Sequence, residues 1–166
     1  MKPYKPHESM RGYFAFHLYE EMERNTDIYV VVADLGYGMF DTIQADFSDR
    51  FINVGAAEQT MLDVAVGLAM SGKIPVVYTI SPFYFRAAET IRTYINHENI
   101  PVIMVGSGRG KDYTHDGFSH HAEDIQELMD MFNNVVDFYP TNWLRLKTLV
   151  PEIINLKRPV FLSLKR

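Results

Sequence analysis

One stretch constrains the fold of this chain more than any other: residues 50–73, which read RFINVGAAEQTMLDVAVGLAMSGK. Its apolar residues 51–54 predict a short buried strand, and Gly55 predicts a turn. From about residue 57 to residue 70, apolar side chains recur at spacings of three and four, which predicts a helix with one broad apolar face. Gly72 follows the last periodic residue, where a left-handed cap is favoured. The stretch is therefore a strand–turn–helix unit, with a single carboxylate, Glu58, in the first helical turn.

Short apolar runs alternate with amphipathic segments along the rest of the chain. The predicted strands are 27–33, 51–54, 74–80, 101–105, 135–138 and 158–164, and the predicted helices are 7–24, 57–70, 83–97, 122–131 and 141–155. Pro82 stands where a helix favours proline, whereas Pro151 should kink or split its helix. Residues 37–49 and 107–119 predict irregular loops. Strands that are apolar throughout are typical of a parallel sheet covered on both faces.

This alternation predicts an α/β protein: a single doubly wound, mostly parallel sheet flanked by helices. We expect residues 1–166 to form one domain, with residues 1–6 as a flexible arm. A length of 166 residues with 47% hydrophobic residues is enough for a substantial core. A share of 13% aromatic residues and nine methionines exceeds what such a core needs, which indicates a surface covered by a partner chain.

Composition also excludes several classes of function. The net charge is −5 without any basic block, so nucleic acid is not an expected partner. No apolar run approaches the roughly 20 residues that span a membrane, and the N-terminal residues lack the apolar core of a signal peptide. The chain has no cysteine, which excludes disulfides and thiolate chemistry. We therefore expect a cytoplasmic protein.

Glu58 is the first candidate for a site residue. It follows a strand-to-helix turn, and open α/β sheets bind their ligands beyond the carboxyl ends of the strands. The alternative is that an acid in the first turn only stabilises the helix dipole. Position alone leaves both interpretations open.

The loop after the strand 101–105 carries a second set of polar residues. Its three glycines are a poor match to a dinucleotide fingerprint, because the third comes too early and no helix follows directly. We expect Arg109 and Lys111 in this loop to contact an anionic substrate. A metal site is an alternative for the acids and histidines that follow, but their spacing matches no regular metal motif, and a solvated helix cap is equally compatible. These residues are His115, His120, His121, Glu123 and Asp124.

The residues around Glu58 carry a resemblance. RFINVGAAEQ, residues 50–59, resembles the RFINVGIAEQ segment of the transketolase family, which recurs in deoxyxylulose-phosphate synthases and in β chains of 2-oxo-acid dehydrogenases. In that family the glutamate belongs to the pyrimidine-binding domain of thiamine diphosphate enzymes and contacts the ring nitrogen of the cofactor's aminopyrimidine. The resemblance, which extends over nearly the whole chain from about residue 27, implies a catalytic and cofactor-binding role for Glu58. A carboxyl group is needed there because it favours the imino tautomer of the cofactor's amino group, which can then accept a proton.

Two further segments resemble the same family. Residues 81–89 (SPFYFRAAE) resemble STFLQRAYDQ, whose phenylalanine packs against the aminopyrimidine, and this implies cofactor binding by Phe83. Packing in the core is the alternative for that ring. Arg86 matches the family arginine and should pair with Glu89 or bind a substrate phosphate. Residues 116–121 (DGFSHH) resemble DGPTHQ, whose histidine faces the substrate, which implies a catalytic and substrate-binding role for His120.

Two weaker assignments complete the predicted site. The family has a DLG-like segment near the cofactor at the subunit interface, which gives Asp34 a claim to cofactor binding, although a turn at the end of a strand explains it equally well. His115, in the same loop as His120, is a further candidate for substrate binding. No residue of this chain is assigned as a metal ligand.

One family motif is missing from the sequence. The domain that binds the cofactor's diphosphate through a divalent metal carries Gly-Asp-Gly followed at a distance by asparagine, and residues 115–117 with Asn133 and Asn134 are too closely spaced and lack the first glycine. We therefore expect this chain to be the pyrimidine-binding subunit of a split transketolase-like enzyme, which transfers a two-carbon ketol unit between sugar-type substrates. A separate diphosphate-binding subunit would hold thiamine diphosphate through Mg²⁺ or Ca²⁺, in a heterotetramer. The alternatives are another thiamine diphosphate enzyme, such as a 2-oxo-acid decarboxylase or an acyloin or deoxyxylulose-type synthase, and a structural or regulatory subunit without activity.

Overall fold

Six parallel strands form the centre of the molecule. The computed structural model describes residues 5–166. The strands are β1 (Ile28–Val32), β2 (Phe51–Asn53), β3 (Ile74–Ile80), β4 (Ile103–Ser107), β5 (Val136–Phe138) and β6 (Val160–Leu164). Their order across the sheet is β2-β1-β3-β4-β6-β5, and every neighbouring pair is parallel. The predicted α/β class and parallel sheet are confirmed.

Helices cover both faces of this sheet. They are α1 (Met10–Arg24), α2 (Asp41–Asp46), α3 (Glu58–Met70), α4 (Ala88–Thr90), α5 (Ile125–Asp130) and α6 (Leu146–Asn155). The short α4 lies inside one continuous helical run over residues 81–97, which begins as a 3₁₀ segment, Ser81–Ala87, and ends as a π-helix, Ile91–His97. None of the helices in residues 5–166 is long and apolar enough to cross a bilayer.

Successive residues of each strand point to opposite faces, so the sheet separates two apolar clusters. Val30 and Val32 pack in the cluster that α1 and α6 cover, whereas Val31 packs in the cluster that α3, the 81–97 run and α5 cover. Both faces of the central strands are therefore buried, which explains why their sequences are apolar throughout.

The topology places a crevice beside β1. The chain pairs β2 on one side of β1 and then crosses over to pair β3 on the other side. The strand order reverses at this point, and ligands of open α/β sheets bind at such points, beyond the carboxyl ends of the strands. The segments that follow β1, β2 and β3 therefore meet at one edge, which we call the carboxyl edge.

A buried arginine, Arg50, holds the start of β2 in place. Arg50 is 8% exposed and donates hydrogen bonds to the carbonyl oxygens of Met22 and Asn25, at the end of α1, while its guanidinium lies 4.6 Å from the Phe47 ring centroid. Carbonyl groups at a helix end lack partners within the helix, so a cation satisfies them and also complements the helix dipole. The strand that leads to Glu58 is thereby tied to the opposite layer.

The boundaries of most predicted elements agree with the structure, but three predictions need correction. The expected loop 37–49 contains α2, because Phe40 and Ile43 anchor one short turn in the core. The predicted helix 83–97 is helical throughout but not a regular α-helix. The predicted helix 141–155 starts as α6 only at residue 146, after a 3₁₀ turn capped by Asn142, and it continues through Pro151 without being split. Most of the predicted N-terminal arm, residues 1–4, lies outside the described residues.

Candidate functional site

Glu58 lies at the amino end of α3, at the carboxyl edge. Gly55 adopts a φ of +75°, which turns the chain sharply after β2. The Asn53 side-chain oxygen accepts hydrogen bonds from the backbone N–H groups of Gly55 and Asp34, at 3.0 Å each, and so ties the ends of β2 and β1 together. Glu58 follows as the first residue of α3 and is 4% exposed.

Arg86 lies over this buried acid. Its Nη1 donates to Oε1 of Glu58 at 2.6 Å, and the arginine side chain is 53% exposed. The predicted pairing of Arg86 with Glu89 is wrong; Glu89 instead accepts a hydrogen bond from Thr93. The local spacing that suggested Glu89 is outweighed by a buried carboxylate, which needs a charged partner.

Phe83 and His120 complete what we call the Glu58 cluster, with Glu58 and Arg86 as its other members. The guanidinium carbon of Arg86 lies 4.2 Å from the centroid of the Phe83 ring. The His120 ring meets Phe83 edge-on, with centroids 5.1 Å apart. Three residues that the sequence singled out on three separate segments are thus neighbours at the carboxyl edge.

Hydrogen bonds hold the two helical segments of the cluster at a fixed distance. Thr90, in the 81–97 run, donates to Asp63 of α3 at 2.8 Å and accepts from Gln59 of the same helix. Gln59 also donates to Asp63 at 3.2 Å. Because the network is closed, α3 and the helical run move as one unit around Glu58 and Phe83.

The start of the helical run is fixed by contact with β4. Ser81 Oγ donates to the carbonyl oxygens of Ser107 and Gly108 at 3.2 and 2.7 Å. This close approach depends on Gly106, because a Cβ at that position would lie 2.6 Å from Ser81 Oγ and 3.0 Å from the Phe161 ring. The position of Phe83 therefore depends on a glycine, rather than a residue with a side chain, at position 106 of the sheet.

The loop that carries His120 is anchored from below by Arg109. Its Nε donates to Ser163 Oγ and its Nη1 to the Pro140 carbonyl oxygen, at 2.9 Å each, and its Nη2 donates to the Ser163 carbonyl oxygen. Burial lowers the pKa of Arg109. These three hydrogen bonds to the chain's own oxygen atoms give Arg109 a structural role, and its contact with a substrate stays a prediction. Lys111 is exposed, 3.7 Å from Glu123.

Two predicted site residues have contacts outside the Glu58 cluster. Asp34 ends β1 with a φ of +54° and accepts a hydrogen bond of 2.6 Å from the Tyr37 hydroxyl, which raises the pKa of Tyr37. His115 lies on the exposed loop, with its Nε2 2.9 Å from Nη1 of Arg166. Their roles in binding cofactor and substrate stay predictions.

A cavity of about 460 Å³ opens at the same edge, on the other face of the sheet. It is lined by the start of α1, by residues 35–39 and by the ends of β3 and β4. Arg11 contributes a cation there: its Nη1 donates to the Tyr113 hydroxyl at 3.0 Å, and that hydroxyl lies 2.7 Å from Ser107 Oγ. The Nε of Arg11 is buried and has no hydrogen-bond partner among the described residues. We call this space the Arg11 cavity.

Arg11 was not identified from the sequence. A single arginine near the start of an amphipathic helix carries no signal of its own, and only the fold places it against residues 35–39 and Tyr113. In residues 5–166, the structure brings together no group of three or more acids and histidines that could hold a metal ion. The cluster and the cavity therefore offer an acid, a flat apolar ring, an imidazole and a cation.

Comparison with known proteins agrees with this geometry. The family profile described as transketolase, pyrimidine binding domain, matches residues 8–166. The chain is 30% identical over 145 residues to an apulose-4-phosphate transketolase subunit of Actinobacillus succinogenes, an alignment that covers 86% of this chain and 47% of the relative. It is 32% identical over 163 residues to a putative transketolase C-terminal section of Methanocaldococcus jannaschii, covering 96% of this chain and 51% of the relative. The chain thus spans about half the length of these curated relatives.

Solved structures show the same likeness. A split-gene transketolase, solved as an inactive beta4 tetramer, superposes with a TM-score of 0.84 at 30% identity, over 95% of this chain and 51% of that one. The transketolase of Leishmania mexicana superposes with a TM-score of 0.86 at 18% identity, over 99% of this chain and 26% of that one, which shows the shared fold. With a profile that spans nearly all of its length, the chain belongs to the transketolase family, as a pyrimidine-binding domain.

Proposed function

We propose that this chain is the pyrimidine-binding subunit of a split, thiamine diphosphate-dependent enzyme of the transketolase type. The observation that carries the proposal is the buried carboxylate of Glu58, which lies at a helix start and shares the guanidinium of Arg86 with the face of Phe83. An acid and an aromatic face side by side are what a flat nitrogen heterocycle needs: a hydrogen bond at its edge and a surface on which to stack.

The residues present fit the aminopyrimidine half of the cofactor. The guanidinium of Arg86 is itself planar, and it donates to Glu58 while it lies on Phe83. A planar heterocycle can stack on the same ring face, and its ring nitrogen can share a proton with the same carboxyl group. The other half of the cofactor has no comparable support, since no set of acids that could hold a metal is gathered within residues 5–166. We assign the diphosphate and its Mg²⁺ or Ca²⁺ to a partner chain.

The chain's own residues would divide the chemistry between them. When bound, thiamine diphosphate supplies the reactive carbon centre. Glu58 holds a proton at the ring nitrogen and so favours the tautomer whose amino group acts as a base. His120, next to Phe83, can exchange a proton with a substrate hydroxyl or carbonyl. Arg11 binds an anionic end of the substrate, because its guanidinium contributes a cation to the lining of the cavity.

The names of the relatives support the role of a subunit. One relative is named as a subunit of a transketolase, and one structural neighbour is a split-gene transketolase. We propose a cytoplasmic heterotetramer in which a separate diphosphate-binding chain completes each site. The proposed reaction is transfer of a two-carbon ketol unit between sugar-type substrates.

A second reaction is a candidate for a specific reason. The chain is also 31% identical over 121 residues to the 1-deoxy-D-xylulose-5-phosphate synthase of Halothermothrix orenii, an alignment that covers 73% of this chain and 19% of the relative. The resemblance at residues 50–59 extends to such synthases, so a pyrimidine-binding domain does not distinguish the two reactions. Product analysis with a ketose donor, compared with a 2-oxo acid donor, separates them.

Calorimetry tests the division into subunits. The chain alone should bind thiamine diphosphate with Mg²⁺ weakly or not at all, and addition of a diphosphate-binding chain should restore binding and turnover. Tight binding together with activity in the isolated chain would reject the proposal. The control is the same titration with Glu58→Gln, which should remain inactive even in the complex.

A further inference from the structure

Arg86 occupies both surfaces that we assign to the cofactor's heterocycle. Its Nη1 lies 2.6 Å from the Glu58 carboxylate, and its planar guanidinium lies 4.2 Å from the Phe83 ring centroid. A guanidinium presents N–H donors in one plane, and its faces stack on aromatic rings. We propose that Arg86 is a displaceable placeholder, whose guanidinium takes the aminopyrimidine's position against Glu58 and Phe83 and swings out when the heterocycle binds.

The burial of Glu58 explains why such a placeholder is needed. Glu58 is 4% exposed, and a buried carboxylate without a partner is strongly unfavourable. The chain therefore provides a cation of its own for this carboxylate. When a heterocycle takes over the hydrogen bond, the arginine is no longer needed at that position.

The arginine, rather than the acid, is the partner that can move. Glu58 begins α3, whose first turn is tied to the 81–97 run through Gln59 and Thr90. Arg86 lies near the end of the 3₁₀ segment with a side chain that is 53% exposed, so its head can turn into water without moving the backbone. An ion pair with one half-exposed partner is weak, so its competition reduces affinity by only about two- to fivefold.

Displacement has a measurable consequence that a fixed ion pair lacks. If Arg86 competes with the ligand, removing its charge should tighten binding of a neutral aminopyrimidine. Screening the ion pair with salt should have the same effect in the wild-type chain, because salt weakens the competitor and leaves stacking intact. If Arg86 instead stays on Glu58 and contributes to binding, both changes should weaken it.

The experiment uses the complex reconstituted from this chain and a diphosphate-binding chain, together with the free pyrimidine half of the cofactor, 4-amino-5-hydroxymethyl-2-methylpyrimidine. Dissociation constants are measured by NMR titration for the wild-type chain, Arg86→Met, Glu58→Gln and the matched control Arg92→Met, an exposed arginine six residues further along the same helical run. Each titration is done at low and at high salt. The Nε–Hε signal of Arg86 in the wild-type chain reports directly whether its side chain is released. Thermal melts verify that each variant is folded.

The inference rests on the proposed function, and the variants separate the two. We expect Arg86→Met to bind the pyrimidine about two- to fivefold more tightly and to lose the salt effect, Arg92→Met to match the wild-type chain, and the Arg86 signal to shift on titration. Unchanged or weaker binding by Arg86→Met overturns the placeholder while the cofactor assignment stands, provided that Glu58→Gln abolishes binding. Equal binding by Glu58→Gln and the wild-type chain, or no binding by any variant, overturns the heterocycle site itself and the placeholder with it.

Discussion

The Glu58 cluster and the Arg11 cavity lie at the same edge of one sheet, yet they treat their charged groups in opposite ways. On the α3 side, a buried acid is covered by the chain's own arginine. On the α1 side, the arginine faces an open space of about 460 Å³, and its Nε has no hydrogen-bond partner within residues 5–166. One charge is paired within the chain, whereas the other borders a cavity.

This difference indicates that the two sides bind different parts of the reacting assembly. A closed pair of acid and aromatic ring suits a flat heterocycle that replaces an internal cation, whereas an open cavity with a cation suits an anionic substrate. His120 joins the two sides, since its ring lies 5.1 Å from Phe83 in the cluster and 6.3 Å from Tyr113, which lines the cavity. His120 therefore lies between the Glu58 cluster and the Arg11 cavity.

The largest effect should come from the acid side. In the reconstituted enzyme, we expect Glu58→Gln to lower kcat by about 10²- to 10⁴-fold, because proton transfer through the heterocycle loses its relay. Steady-state kinetics measure this change, and thermal melting should stay close to that of the wild type because the amide keeps the shape of the side chain. Glu89→Gln is the matched control, since Glu89 lies in the same region and bonds locally to Thr93. Full activity in Glu58→Gln would remove the chemical distinction between the two sides.

A smaller effect, of a different kind, is expected on the cavity side. Arg11→Met should raise KM for an anionic substrate by about 10- to 100-fold with a lesser change in kcat, because a charge-assisted hydrogen bond to the ground state is lost. Arg24→Met, at the exposed end of the same helix, should leave KM unchanged. If Arg11→Met lowers kcat and leaves KM unchanged, the cavity does not hold the substrate's charge.

His120 lies between the two sides, and Arg109 holds the loop that carries it. Arg109→Met should lower the free energy of unfolding by about 1–2 kcal/mol, because the carbonyl oxygens of Pro140 and Ser163 lose their donor in a partly buried position. Urea denaturation measures the loss, and Lys111→Met in the same loop should leave stability unchanged. Equal stability in the two variants would mean that the loop is held elsewhere.

The smallest effect on stability should come from a residue beside Arg109, and only at alkaline pH. Burial, followed by the charges of Asp137 and Asp130, raises the pKa of Tyr139 from 10.0 to about 12. The folded chain therefore keeps this proton after the unfolded chain has lost it, so stability falls as the pH rises from about 10 towards 12. Tyr139→Phe should match the wild type at pH 7, because the buried hydroxyl has no hydrogen-bond partner in the part of the chain that the structure describes, and should lose less stability above pH 10. Urea midpoints at pH 7 and pH 11 measure the difference, and identical alkaline losses would contradict it.

The sequence predicted the acid side better than the cavity side, for a physical reason. Glu58, Phe83 and His120 were assigned from segments that resemble the transketolase family. Each of them follows a strand, and parallel strands bring their carboxyl ends to one edge, which explains why the structure places them together. The partner of Arg86 could not be predicted in this way: the local candidate was Glu89, whereas the buried acid that binds it is 28 residues away in the chain.

The residues of the cavity side depend on packing between elements that are distant in sequence. Arg11 meets Tyr113 across 102 positions, and no spacing rule connects a helix start with a loop that far along the chain. The sequence suggested that Arg109 contacts an anionic substrate, but it did not show that the guanidinium fits oxygen atoms of the chain itself, which only the fold assembles. Strands and helices follow from periodicity, whereas these contacts follow from the fold.

Through Gly106, the sheet affects a site with which this residue makes no contact. Ser81 can rest on β4 only because position 106 carries a hydrogen atom where any other residue would carry carbon. Even a methyl group there would displace the Ser81 hydroxyl or the Phe161 ring, and the contact that holds the start of the helical run on β4 would be disturbed. A variant at this strand position could thus impair catalysis without altering a single group that meets the substrate.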